Sequence, residues 1–228
     1  MFLRIPNVLS GDELTRICAA LTGAEAPWLD GRVTAGHQGA PVKNNQQLDQ
    51  ASAMARELGG AILASLERNP LFISAILPDR VYPPMFNRYG AGMRFGTHVD
   101  GVVRRVPGSA HQLRTDLSAT LFLAPAQSYD GGELVIESDF GDQCHKLAAG
   151  DLLVYSAGLR HRVNAVTRGQ RLASIFWIQS LIRDDLKREQ LFELDRTIQR
   201  LTQLGSDADS MVRLAAHYHG LLRRWSEL

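Results

Sequence analysis

The sequence predicts an α+β fold: an antiparallel jelly roll or barrel at the centre, helices before it and a helical hairpin after it. Three observations carry this. From Leu71 to Gln179, short β-like runs are separated by Gly, Pro and Asp, and no helical period intervenes. Before residue 70 and after residue 182, apolar residues recur instead at three- and four-residue intervals. With 228 residues and 45% hydrophobic content, the chain can hold one large domain with a smaller appendage. The expected division is an N-terminal helical support region (1–70), a jelly-roll core (71–182) and a C-terminal helical hairpin (183–228), with the N-terminal helices packed on the sheet.

Ser10 and Glu13 form a capping-box pattern, with Leu9 and Leu14 placed as a hydrophobic staple. Behind the cap, Leu14, Ile17, Cys18 and Leu21 repeat at helical spacing, so Cys18 reads as a core thiol. Residues 23–46 are rich in Gly, Asn and Gln and read as loop or irregular strand, with His37 solvated among them. A second helix is expected over about 48–68, stopping at Asn69-Pro70. Strands follow near 71–77, 81–89, 94–99, 117–124, 132–137, 143–147, 151–156, 161–166 and 170–179. Asp130-Gly131-Gly132 and Arg168-Gly169 are the clearest hairpin turns. The polar segment 101–115 is long enough to be a lid or binding loop. If it folds over the site, Arg104, Arg105 and Arg114 face the entrance and His111 is placed to meet substrate; a solvated loop is the simpler reading. Beyond residue 182, Leu191, Leu194, Ile198 and Leu201 form a stripe, Gly205-Ser206 breaks it, and a last helix runs over about 207–225. Charges balance along this hairpin, which reads as a cover for the sheet or a homo-oligomer contact.

The bulk properties exclude several classes. A formal net charge of +1 and the lack of a basic aromatic groove argue against nucleic acid or an anionic membrane as partner. Cys18 and Cys144 belong to no C-x-x-C pair, which argues against a disulfide scaffold or structural zinc and fits a reducing compartment. No run is apolar enough for a signal peptide or a membrane span, so a cytoplasmic protein is expected.

The chemistry is expected at Thr97-His98-Val99-Asp100. On an extended segment residues i and i+2 point to the same side, so the His98 imidazole and the Asp100 carboxylate converge. With open positions left over, they are two-thirds of the facial triad that suits non-heme Fe(II) and O2 chemistry. Alone, His-x-Asp is a weak signal, more often a hydrogen-bonded turn or surface pair. His161 is the candidate third ligand, or else a satisfied strand histidine. Ten residues on, across an expected hairpin, Arg171 shares a face with Ala173, Ile175 and Trp177 and so enters an apolar interior. A charge there needs a partner. Either an internal carboxylate supplies it, or a small dicarboxylic molecule does, with its near end chelating a metal. His217 and His219, two apart on a helix, do not share a face, and His145 beside Cys144 has no third partner.

Together with Asn87-Arg88-Tyr89-Gly90, Arg114-Thr115-Asp116-Leu117-Ser118, Tyr129-Asp130-Gly131-Gly132-Glu133-Leu134, Gly150-Asp151-Leu152 and Thr167-Arg168-Gly169, these motifs resemble the Fe(II)/2-oxoglutarate-dependent dioxygenases. The resemblance is to the prolyl/lysyl-hydroxylase-like branch called PKHD-type hydroxylases, found in bacteria beside iron-uptake functions. It covers about 71–182 specifically and the flanking helices more loosely. It implies a double-stranded β-helix, with Fe(II) bound by His98, Asp100 and His161. It also implies that the far carboxylate of 2-oxoglutarate pairs with Arg171, that Tyr89 borders this cosubstrate, and that O2 is the oxidant. L-ascorbate dependence is a further implication. The implied reaction hydroxylates an unactivated C–H bond while 2-oxoglutarate is decarboxylated to succinate and CO2. Halogenating relatives lack the carboxylate that Asp100 retains. One departure is Phe122, where some relatives carry a second cosubstrate tyrosine. The substrate is left between a peptidyl prolyl or lysyl side chain and a small molecule of iron uptake. Two competing readings are a non-catalytic iron or 2-oxoglutarate sensor on the same fold and a cupin-like isomerase or sugar-binding jelly roll.

Overall fold

The computed structural model describes residues 2–37 and 39–227. Two antiparallel sheets form the core. The larger runs, in spatial order, Phe2–Ile5, Leu152–Ser156, Leu117–Phe122, Arg171–Ser180, Met85–Tyr89, Gln46–Leu48 and Trp28–Asp30, with Pro78–Val81 pairing the far end of Arg171–Ser180. The smaller runs Gln143–His145, Leu134–Ile136, His161–Val163, Arg94–His98 and Lys43–Asn44. Apolar residues of both sheets and of the N-terminal helices join in one continuous buried cluster.

The period-2 pattern of Arg171–Ser180 separates two environments. Leu172, Phe176 and Ile178 belong to the cluster that includes Ile17, Leu58, Ile62 and Phe72 of the helices Gly11–Thr22, Ala53–Glu67 and Pro70–Ile76. Arg171, Ile175 and Trp177 point the other way and line a pocket between the sheets. The expected capping box is present, with the Ser10 side chain accepting from the Glu13 amide and the Glu13 carboxylate accepting from the Ser10 amide. Cys18 packs against the main cluster, and its thiol donates to the Leu123 carbonyl.

Several expectations are corrected. Residues 71–77 are not a strand: Pro70–Ile76 is a helix, capped by Asn69 accepting from the Phe72 amide, with Pro70 in its first turn. The dipeptide that ends the preceding helix also begins the next, because proline's missing amide costs nothing in a first turn. The preceding helix starts at Ala53, and Gln46–Leu48 is a strand. Of the two readings of 23–46, loop or irregular strand, the second holds in part: the stretch supplies short strands to both sheets.

Nor does the chain turn back on itself at Arg168-Gly169. His161–Val163 belongs to the smaller sheet and Arg171–Ser180 to the larger, so the intervening segment crosses between sheets. Within the crossing, Val166–Gly169 pairs with Tyr129–Gly131, the other expected turn, through Tyr129↔Gly169 and Asp130↔Arg168. Backbones approach closely here. Gly131 has φ +70°, and a Cβ on it would lie 2.1 Å from the Ala165 carbonyl oxygen.

The C-terminal helices Asp185–Gln203 and Ala208–Trp225 form the expected hairpin. It packs in cis: Leu191 is buried against Leu77 and Ile182, with Tyr218, Leu221 and Trp225 closing over them. Arg188, fully buried at its root, donates to the Ile182 carbonyl and pairs with Asp185. Among the described residues no helix is long and apolar enough to cross a membrane.

Substituting Gly131→Ala should cost more than about 2 kcal/mol in urea denaturation, since both the positive φ and the carbonyl forbid a side chain. Gly220→Ala, in a helix with nothing within 4 Å of the new methyl, should instead stabilise by up to about 1 kcal/mol.

Candidate active site

Strand register brings the site together. His161 lies directly opposite His98 in the smaller sheet, with their ring centroids 4.2 Å apart. Asp100 sits just past the end of Arg94–His98, and its Oδ2 is 3.7 Å from His161 Nε2. One donor atom from each of His98, Asp100 and His161 lies within 4.8 Å of the others, as a shared metal ion requires.

Each donor is oriented by what it touches. His98 Nδ1 is 2.8 Å from the Gly96 carbonyl oxygen, and His161 Nδ1 is 3.0 Å from that of Leu159. Both carbonyls can only accept, so the Nδ1 atoms carry the protons and the Nε2 lone pairs are free to bind metal. Ser118 Oγ donates to Asp100 Oδ2 at 2.5 Å and fixes the carboxylate. Burial, together with the neighbouring His161, pushes the His98 pKa well down. The ring is therefore neutral, as a ligand must be. Phe95 stacks on it at 3.6 Å between centroids. Two imidazoles and one carboxylate on one side, facing a cavity of about 570 Å³, fit a non-heme iron site with open positions.

Arg171 stands at the start of its strand directly opposite Tyr89. It is 1% exposed, and its Nε and Nη1 have no hydrogen-bond partner. Among the described residues it forms no ion pair. The guanidinium carbon lies 5.3 Å from the Tyr89 ring centre and 5.5 Å from that of Phe122. Leaving a planar double donor buried and unpaired is expensive unless an oxyanion from outside completes it. The orphaned atoms fit one end of a dicarboxylate, and the internal-carboxylate alternative has no candidate among the described residues. Gly132 makes room for this: a Cβ there would meet Tyr129 Cε2 at 3.1 Å and Arg171 Cδ at 3.2 Å.

Phe122 indeed brings no hydroxyl. The nearby phenol is Tyr129, whose buried hydroxyl lies beside Arg171 and whose pKa is raised by burial against the opposing pull of that charge. Tyr155 also escaped the sequence reading. It lines the pocket edge-on to His161 at 5.2 Å, and burial pushes its phenol well above the ordinary value. Polar Ser118 and Thr120 at alternate positions of an otherwise apolar strand were the available signal for this inner face.

The polar loop contains a hairpin, Val103–Arg105 paired with Gln112–Arg114, roofing the pocket. Leu113 and Val106 anchor it on Trp177, Tyr82 and Met85. Arg104 and Arg105 face the pocket as expected. Arg114 does not: it pairs with Asp116 and Glu227. His111 is exposed and outside the lining, while His37, also exposed, is at the rim. His145 stacks on Phe2, and His217 and His219 lie on the last helix. Lys43 went unremarked because its stretch had no periodicity. It is 6% exposed, lines the pocket, and donates to Thr34 Oγ1 and Gln47 Oε1.

A model of the 2OG-Fe(II) oxygenase superfamily matches residues 84–179, and one of the PKHD-type hydroxylase C-terminal domain matches residues 185–227. A PKHD-type hydroxylase of Paraburkholderia phytofirmans is 56% identical over 227 residues, covering 100% of both chains. A Trichoplax adhaerens prolyl hydroxylase, solved with a hypoxia inducible factor peptide fragment, has the same fold. Its TM-score is 0.54 at 15% identity, covering 83% of this chain and 86% of that one. A non-heme alpha ketoglutarate dependent carbocyclase from nogalamycin biosynthesis is equally similar in fold, with TM-score 0.54, 16% identity and coverage of 79% and 80%.

Burial, and secondarily the charge of Arg104, push the Lys43 pKa down from 10.5 to about 8. Between those values the unfolded chain holds a proton that the folded protein has lost, so stability rises with pH through that window. In metal-free protein, Lys43→Met should therefore raise stability at pH 7 by on the order of 1–3 kcal/mol and abolish the alkaline gain. Thermal denaturation at pH 7 and pH 9.5 checks both.

Proposed function

The chain belongs to the PKHD-type hydroxylases, enzymes of the 2OG-Fe(II) oxygenase superfamily, and on that premise we propose how its residues divide the work. His98, Asp100 and His161 hold Fe(II), and Arg171 receives the far carboxylate of 2-oxoglutarate, bordered by Tyr89. The observation that carries this is the pair of unpartnered Arg171 nitrogens in the pocket that the His-Asp-His cluster faces.

When bound, iron and 2-oxoglutarate supply activation of O2, with oxidative decarboxylation to succinate and CO2 and hydroxylation of a substrate C–H. The chain's own residues orient and protect that chemistry. The Gly96 and Leu159 carbonyls hold the imidazoles to one tautomer, and Ser118 holds the Asp100 carboxylate at a fixed angle. Arg171 fixes the length of the acid that can chelate, since it reaches the cosubstrate's far end. Ile175, Trp177 and Phe95 keep the walls apolar and limit water.

The substrate stays open between a peptidyl prolyl or lysyl side chain and a small molecule of iron uptake. Fold similarity does not choose, because the same fold serves a peptide-binding hydroxylase and a carbocyclase. L-ascorbate, as reductant for idle turnover, and a cytoplasmic setting belong to the same proposal.

Anaerobic titration of the protein with Fe(II) and 2-oxoglutarate should develop a metal-to-ligand charge-transfer band. His161→Ala should lose it. Arg171→Ala should need about 100-fold more 2-oxoglutarate, the worth of a charged two-pronged contact. Succinate formed without added substrate would separate turnover from sensing. A saturated wild-type protein with no band would sink the assignment.

A further inference from the structure

The charges lining the pocket do not balance. Among the described lining residues Asp100 is the sole carboxylate, against Lys43, Arg104, Arg105 and Arg171. In a chain of net charge +1 this is a local concentration of cations. On the reading above, divalent iron cancels dianionic 2-oxoglutarate, and Arg171 balances Asp100. Lys43, Arg104 and Arg105 are left over; Arg105 is exposed to solvent and the other two are not.

Lys43 and Arg104 are built into the wall. Lys43 is buried on the strand beside Arg94–His98, its ammonium 5.2 Å from the Phe95 ring centre, and it meets only the neutral oxygens of Thr34 and Gln47. Arg104 lies over the Trp177 ring, with its guanidinium carbon 3.5 Å from the ring centre, and its buried Nε has no partner. Neither forms an ion pair among the described residues. Trp177 stands on the strand that Arg171 opens, so the Arg104 fork is held on the pocket's own wall rather than swinging free. An ammonium and a guanidinium, both desolvated and neither held in an ion pair among the described residues, form a receptor for an oxyanion.

We propose that Lys43 and Arg104 form a subsite for a carboxylate or phosphate group of the primary substrate, orienting the C–H bond to be hydroxylated. This rests on the assignment of iron to His98, Asp100 and His161 and of 2-oxoglutarate to Arg171. It selects, among candidate substrates, those carrying an anionic group close to the reacting carbon. A prolyl side chain, which is neutral, or a lysyl side chain, which is cationic, does not satisfy it without a neighbouring acid.

The test is calorimetry on protein saturated with Fe(II) and 2-oxoglutarate under anaerobic conditions, with the charge-transfer band watched in the same samples. The probes are N-acetylaspartate, its uncharged diamide, and phenyl phosphate. The subsite predicts that at least one anionic probe binds about tenfold or more tightly than the diamide, with carboxylate or phosphate preferred according to the natural group. That preference should disappear in Lys43→Met and in Arg104→Met while 2-oxoglutarate half-saturation of the band stays at the wild-type value. Equal binding of the diamide would overturn the proposal, as would variants that bind anions like the wild type. So would a loss of 2-oxoglutarate affinity in either variant, which would place these cations on the cosubstrate. An absent band in wild-type protein would count against the iron and 2-oxoglutarate assignment, and the probe preference in the two variants would still decide the subsite.

Discussion

A guanidinium enclosed between two sheets, with no carboxylate beside it, is the constraint around which this fold is arranged. Burying an unpaired charge opposes folding by several kcal/mol, and Arg171 is 1% exposed with two nitrogens unpartnered. The surroundings accommodate its shape without neutralising it. Tyr89 and Phe122 offer ring faces, and Gly132 leaves bare the space its stem crosses. On the proposed assignment of 2-oxoglutarate to Arg171, such an arrangement keeps a binding determinant ready at the expense of stability.

The two sheets divide the labour. The smaller one carries the candidate metal-binding face, since pairing of His161 with His98 places two imidazoles side by side and the following residues deliver Asp100. The larger one carries the floor, through Ser118, Tyr89 and Arg171. The crossing between His161 and Arg171 fixes one against the other. Glycine at this crossing serves geometry: Gly131, on the strand paired with it, lies where any side chain would strike the Ala165 carbonyl. Helices outside the larger sheet and the C-terminal hairpin stiffen this frame without reaching the pocket.

In the proposed subsite, selectivity comes from the periphery. Lys43 comes from the irregular N-terminal stretch and Arg104 from the roofing hairpin. Neither belongs to the strands that bear His98, His161 and Arg171, so either can change without altering those strands. Their shared field also reaches Asp100.

The sequence by itself determined what depends on local spacing. The Ser10 cap, the alternation along Arg171–Ser180, the convergence of His98 and Asp100, and the C-terminal hairpin are all set by residues a few positions apart. It also identified Arg171 as a charge in need of a partner, because two-residue periodicity reveals a polar residue on an apolar face. Tertiary structure alone decided what depends on which strands pair. Arg168-Gly169 has the composition of a hairpin turn, and only the separation of the two sheets makes it a crossing. Asn69-Pro70 ends one helix and starts another, because a proline in a first turn is compatible with both. Lys43 had no periodicity to betray it. A two-residue strand takes its meaning from the neighbour it pairs with, and that neighbour lies fifty residues away in the chain, at Arg94 and Phe95.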